Sequence, residues 1–187
     1  MDDKPREKPE DLIKKASKVM QRSDWGARDP TFVTTLRAPV EKVVLTWTGT
    51  EQCFTEKECV AKVKELQLRH QQEKGVPDIK HNFLLGGDGA LYEGRGFQRL
   101  GPKYSPLVDE KHSLSEESIE IAFIDKYNNH PSPILLKVLS ECLAFGVEGN
   151  FIQSKFHLYW MTEKDVVLIQ PAMLSSKSEA KMELQHQ

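Results

Sequence analysis

The sequence predicts an α/β fold, one domain with a central mixed β-sheet flanked by α-helices. Three observations carry that expectation. Val43 to Thr48 is a continuous run of β-branched and apolar residues with the length of a buried strand, and Ile119, Ile121 and Phe123 alternate with Glu120, Ala122 and Ile124 as in a further strand. Two longer stretches place apolar residues at helical spacing. The two kinds of segment alternate along 187 residues of 39% hydrophobic content, enough to bury one core of ordinary size.

Residues 1–22 are rich in charge and include Pro5 and Pro9, a composition that suits a tail or linker. Leu12, Ile13, Ala16, Val19 and Met20 fall at helical spacing, so a short amphipathic helix can form there, lying on its own domain or fraying rather than lying on a partner. The domain itself is expected over 23–174. Val43 to Thr48 forms a strand covered on both faces and leads into a loop with Gly49 and Cys53. Thr55 with Glu58 is a capping-box pattern, and Val60, Val63, Leu66, Gln67 and His70 follow on one face until Gly75 and Pro77 stop the helix.

Phe83 to Leu85 and Ala90 to Glu93 flank Gly86-Gly87-Asp88-Gly89, which reads as a β-hairpin. Ile119, Ile121 and Phe123 alternate with Glu120, Ala122 and Ile124 in a further strand. Ser132 and Pro133 open a second helix whose buried stripe is Ile134, Leu135, Val138, Leu139, Cys142 and Phe145, closed by Gly146. Cys142 on that stripe reads as a core thiol. The stretch from Gly101 to Ser118 is polar and unassigned, and 175–187 is a polar C-terminal tail.

A net charge of -2 and a pI near 6.3 give no basic field, so nucleic acid and anionic membrane surfaces are not expected partners. No apolar run approaches the roughly 18 residues needed to span a bilayer, and the first residues are charged where a signal peptide would be apolar. The chain as given reads as soluble, and an excised extracellular part of a larger protein is equally compatible with it.

Several blocks occur in order between Trp25 and Pro171: Asp24-Trp25-Gly26-Ala27-Arg28, the Val43 strand, Cys53 and Cys59, and Asn82-Phe83-Leu84 running into Gly86-Gly87-Asp88-Gly89. Tyr92-Glu93-Gly94-Arg95-Gly96-Phe97, Ser118 to Ile124 and Phe145-Gly146-Val147-Glu148 follow. Together they resemble the peptidoglycan recognition proteins, whose domain is similar to N-acetylmuramoyl-L-alanine amidases. The resemblance implies a Cys53–Cys59 disulfide, worth about 2 kcal/mol for so short a loop. It further implies an oxidising, extracellular setting, either secreted or as the ectodomain of a membrane protein.

The family's amidases hold a catalytic zinc, which needs about three protein ligands and an open position for water. In this chain Thr46 and Trp47 stand at the His-His pair, Met161 at the second ligand histidine, Ile169 or Gln170 at the ligand cysteine, and His81 at the catalytic tyrosine. A threonine hydroxyl and a thioether are poor zinc donors, so no metal, no cofactor and no enzyme activity are expected. Recruitment of His81 and His157 to another metal is disfavoured, since such histidines are mostly surface or locally satisfied groups.

The resemblance also marks a binding groove or partner surface. Phe97 and Gln98 stand where binding receptors read Trp-Asn, Lys103 where they carry a histidine, Glu117 where an arginine meets a stem-peptide carboxylate, and Glu120 at a usual glycine. Trp47 and Trp160 are expected beside the cleft floor, where they fill the cleft, make an apolar partner patch, or pack as ordinary core. The expected function is that of a non-catalytic insect family member that regulates innate immune sensing of bacteria by associating or competing with a related recognition receptor. The alternative is a receptor that binds peptidoglycan directly, and a distant third is an amidase with an atypical metal site.

Overall fold

The computed structural model describes residues 18–101, 118–127, 129–162, 166–169 and 172–173. Among the described residues eight strands, β1 (Val19–Met20), β2 (Val40–Trp47), β3 (Phe83–Leu85), β4 (Leu91–Glu93), β5 (Ser118–Phe123), β6 (Ile152–Met161), β7 (Val166–Leu168) and β8 (Ala172–Met173), build one mixed sheet. Three helices among the described residues, α1 (Arg22–Trp25), α2 (Glu56–Glu73) and α3 (Pro133–Glu148), accompany it. The strand order is β1-β4-β3-β5-β2-β6-β7, with β8 pairing β6 off that path. The centre is parallel, β2 lying between β5 and β6, while the β3–β4 hairpin and the β6–β7 pair are antiparallel.

Two apolar clusters sandwich the sheet, as the period of two in each strand requires. Val43, Leu45 and Trp47 of β2 join Ile119, Ile121 and Phe123 of β5 against Leu135, Val138, Leu139 and Cys142 of α3. On the other face Leu84 and Tyr92 of the hairpin join Trp25, Cys59, Val63 and Leu66. The capping box at Thr55 and Glu58 starts α2, and the Cys53–Cys59 disulfide ties the incoming loop to its first turn.

Sequence and structure part at several places. Val19 and Met20 belong to a strand rather than a helix, and the fold therefore begins before residue 23. They pair in parallel with Leu91 and Tyr92, the Leu91 N–H donates to the Lys18 carbonyl at 2.9 Å, and alternation buries Met20 while leaving Val19 exposed. Leu12, Ile13 and Ala16 lie outside the described residues. On α2 the buried stripe runs through Cys59, with Val60 only partly buried. On α3 the stripe includes Leu143, Ile134 is exposed, and Phe145 is only partly buried.

Gly146 does not end α3, which continues to Glu148 before Gly149 caps it. The glycine answers a steric demand instead, because a Cβ there would lie 2.4 Å from Ile152 Cδ1 and 3.0 Å from Phe97. Gly146→Ala gains helix propensity of about 1 kcal/mol but forces the helix off β6, at about 1–3 kcal/mol. We expect net destabilisation in urea unfolding, and a stabilised variant would refute the packing argument.

His70 on α2 is buried, and its Nδ1 accepts the Lys80 N–H at 3.0 Å. Burial above all, then the nearby charges of His81 and Lys80, depresses its pKa from 6.5 to about 2. The folded ring stays neutral where the unfolded ring takes a proton. Its contribution is therefore fully present above pH ~6.5 and is lost as pH falls towards 2, about 2 kcal/mol of it between pH 7 and 5. His70→Gln should flatten the acid limb of stability measured by chemical unfolding across that range; an unchanged slope would assign the limb to other groups.

Candidate functional site

The register across the sheet centre brings together the positions that the resemblance matches to metal ligands. Thr46 pairs with Ala122 of β5, and Leu45 pairs with Trp160 of β6, which sets Thr46 beside Met161. The buried Thr46 hydroxyl donates to the Met161 carbonyl at 3.2 Å. Its one proton is thereby spent on closing the seam between β2 and β6. Val44, Glu120 and Tyr159 lie in register two residues along on the same face, where Val44 is buried but Glu120 and Tyr159 are partly exposed, and we call it the open face.

Trp47 and Trp160 are elsewhere, and the expectation that they border the cleft floor is corrected. Being one residue from Thr46 and Met161, they point to the opposite side and join the α3 cluster. Their rings stack at 4.6 Å with 15° between planes, Phe123 lies 6.3 and 5.7 Å from them, and Trp47 Nε1 donates to the Asn129 carbonyl at 3.1 Å. Ordinary core packing is what the two indoles do. Phe97 also faces this side, 4.4 Å from Phe83 and stacked on Phe151 at 4.9 Å. Gln98 is exposed, and its carbonyl accepts the Leu36 N–H. Lys103, Glu117 and Gln170 lie outside the described residues, while Ile169 is partly buried against the α3 cluster.

His81 meets the open face through Glu120, its Nδ1 lying 2.7 Å from Oε1 of the carboxylate. Burial alone would raise the Glu120 pKa, but His81, then Arg95 and Lys80, outweigh it and hold the group below the usual carboxylate range. Lys80 is pushed down by burial and by Lys74. The His81 ring also lies edge-on to His70, centroids 5.6 Å apart, whereas His157 is exposed on β6.

The donor set does not fit zinc. A hydroxyl committed to a carbonyl, a thioether and the aliphatic or amide side chain of Ile169 or Gln170 offer no anionic or imidazole ligand. Among the described residues no three His, Cys, Asp or Glu side chains converge in a metal-holding arrangement.

One residue that organises this region was not singled out from the sequence. Asn82 is fully buried and uses its whole amide. Nδ2 donates to the Gly96 and Arg99 carbonyls at 2.8 and 3.1 Å, while Oδ1 accepts from Arg95 Nη2 at 3.0 Å and the Glu120 N–H at 2.9 Å. An asparagine before an apolar strand carries no local mark of such a role. Asn82→Ala should cost about 3 kcal/mol in urea unfolding, because it strips partners from buried polar groups; a loss under about 1 kcal/mol would show that the network is dispensable.

No protein-family model matches the sequence. Individual relatives do. Peptidoglycan-recognition protein 1 of Holotrichia diomphalia is 34% identical over 131 residues, 70% of this chain, which spans 63% of that protein's length. Peptidoglycan-recognition protein SC2 of Drosophila simulans is 33% identical over 142 residues, covering 75% of this chain and 73% of the relative. Among solved structures, Drosophila PGRP-LB is 29% identical with a TM-score of 0.70 over 77% of this chain and 82% of its own. Tracheal cytotoxin bound to the ectodomain complex of PGRP-LCa and PGRP-LCx aligns with a TM-score of 0.70 and 28% identity, covering 76% of this chain and 83% of that one. With the ordered sequence blocks, the disulfide and the mixed sheet all in agreement, the chain belongs to the peptidoglycan recognition protein family.

Proposed function

We propose that this protein is a non-catalytic peptidoglycan-recognition domain that regulates innate immune sensing of bacteria by associating or competing with a related recognition receptor. The observation that carries the reading is the Thr46–Met161 hydrogen bond. At the position that the resemblance matches to an amidase imidazole, the hydroxyl is spent on a backbone carbonyl, which supports the reading that a water held there has no Lewis acid to lower its pKa. His81, which the resemblance matches to the catalytic tyrosine, is engaged by Glu120. Association with a second family member is supported by the neighbour in which PGRP-LCa and PGRP-LCx form an ectodomain complex with tracheal cytotoxin. The Cys53–Cys59 disulfide supports an extracellular setting, and no helix among the described residues is long and apolar enough to cross a membrane.

The lack of catalysis is tested by equilibrium dialysis against zinc, followed by assay for release of stem peptide. We expect no stoichiometric zinc and no released peptide, and a 1:1 zinc complex that hydrolyses the amide would overturn the reading. The regulatory role is tested by calorimetric titration with monomeric muropeptide, once on the domain alone and once with a related receptor domain present. Heat or complex formation only alongside the receptor supports the regulator, whereas saturable binding by the domain alone makes the protein a direct peptidoglycan receptor.

A further inference from the structure

A cleft of about 460 Å³, whose lining includes neither Thr46 nor Met161, lies between the segment Pro30 to Thr34 and the strip formed by Val76, Pro77, Ile79 and Leu100. Its volume is in the range of ligand-binding cavities, and its walls are mostly apolar. Asp78, Arg95 and Arg99 line the remainder. Asp78 is buried, and its Oδ1 accepts from Gln67 Nε2 at 2.8 Å and the Ile79 N–H at 2.7 Å. Its Oδ2 lies 2.9 Å from Arg22 Nη1 and 3.8 Å from Arg99 Nη1.

One carboxylate therefore stands between two guanidinium groups. Arg22 is otherwise served, donating to the Gly94 and Arg28 carbonyls. Arg99 is not: its Nη1 is buried, and the guanidinium donates no hydrogen bond among the described residues. Arg99 shares Asp78 with Arg22 at the longer distance, so its guanidinium keeps donors with which a second carboxylate at the cavity could form charge-assisted hydrogen bonds.

The rim adds a second, independent observation. Phe32 and Val33 are 64% and 54% exposed, next to the cavity. The chain on either side is tied down, Thr31 N–H to the Pro77 carbonyl, Leu36 N–H to the Gln98 carbonyl and Leu100 N–H to the Thr34 carbonyl. Between those ties the peptide groups of Phe32 and Val33 have no hydrogen-bond partner among the described residues. Two fixed peptide units with unused donors and acceptors beside apolar side chains form a short edge on which an extended segment can add.

We propose that this cleft is a docking site for an extended peptide of a partner protein, which pairs with the Phe32–Val33 edge, drops an apolar side chain into the cavity and sets an Asp or Glu carboxylate on Arg99. The site is separate from the open face, so muropeptide binding there is not required for it. Asn82, whose amide holds the Arg99 carbonyl, and Arg95, whose N–H donates to the His81 carbonyl, both tie it to that face.

The test pans a displayed library of random eight-residue peptides on the whole chain and titrates an enriched peptide by fluorescence anisotropy. The expected enrichment is an acidic residue within a few positions of an aliphatic or aromatic one. Arg99→Gln should weaken binding at least tenfold, replacing the peptide's acid by its amide should do the same, and the two changes together should cost little more than either. Phe32→Ser, at an exposed position that folding does not need, should also weaken binding about tenfold with an unchanged thermal melt. Failure to enrich any peptide, or equal affinity for the wild type and both variants, would overturn the proposal. So would Arg99-dependent saturation by octanoate without peptide binding, which would make the cleft a site for small acids instead.

Discussion

The central strand β2 is covered on both faces, and that constraint governs the rest of the molecule. Val43, Val44, Leu45, Thr46 and Trp47 are all buried, so every residue in the run must be matched by a partner on its own side. On the α3 side the match is volume: branched side chains, two indoles and a phenylalanine packed against an apolar helix. On the other side the match at Thr46 is a hydrogen bond, because a buried hydroxyl left unpaired is costly whereas a paired one is nearly neutral. The closed seam between β2 and β6 follows from that requirement.

Next to this apolar order lies a polar one, centred on Asn82. Its amide fixes the Glu120 backbone, the Gly96 and Arg99 carbonyls and one Arg95 donor at once. Glu120 then meets His81, and His81 meets His70 against the C-terminal half of α2. The open face and the Arg99 cleft are two ends of one buried polar strip. Such a strip tolerates little loosening, since each member left without a partner carries its full desolvation cost.

Most of the architecture was legible from periodicity and end signals. The capping box of α2, the hairpin about Gly86 to Gly89, the β5 alternation and the Ser132-Pro133 start of α3 are local statements that tertiary packing did not need to override. The missed features depend on long-range partners. Val19 and Met20 fit a helical stripe, but a strand edge at Leu91 and Tyr92 offered backbone partners that no local pattern reveals. Gly146 reads as a stop, and only the approach of Ile152 explains it as a contact. In the candidate site, Thr46 and Met161 were placed by matched blocks and the sheet register sets them side by side. Matched blocks set Trp47 and Trp160 beside the cleft, but alternation from Thr46 and Met161 turns both indoles to the α3 side.

The three tryptophans divide between the two cores: Trp25 under α2, and the stacked Trp47–Trp160 pair under α3. Indoles at 4.6 Å couple their electronic transitions, which an isolated indole cannot do. The protein therefore carries its own optical label for one half of its interior. An exciton couplet in ultraviolet circular dichroism reports the α3 layer alone, so the loosening of that layer can be followed apart from the disulfide-tied layer without any added probe.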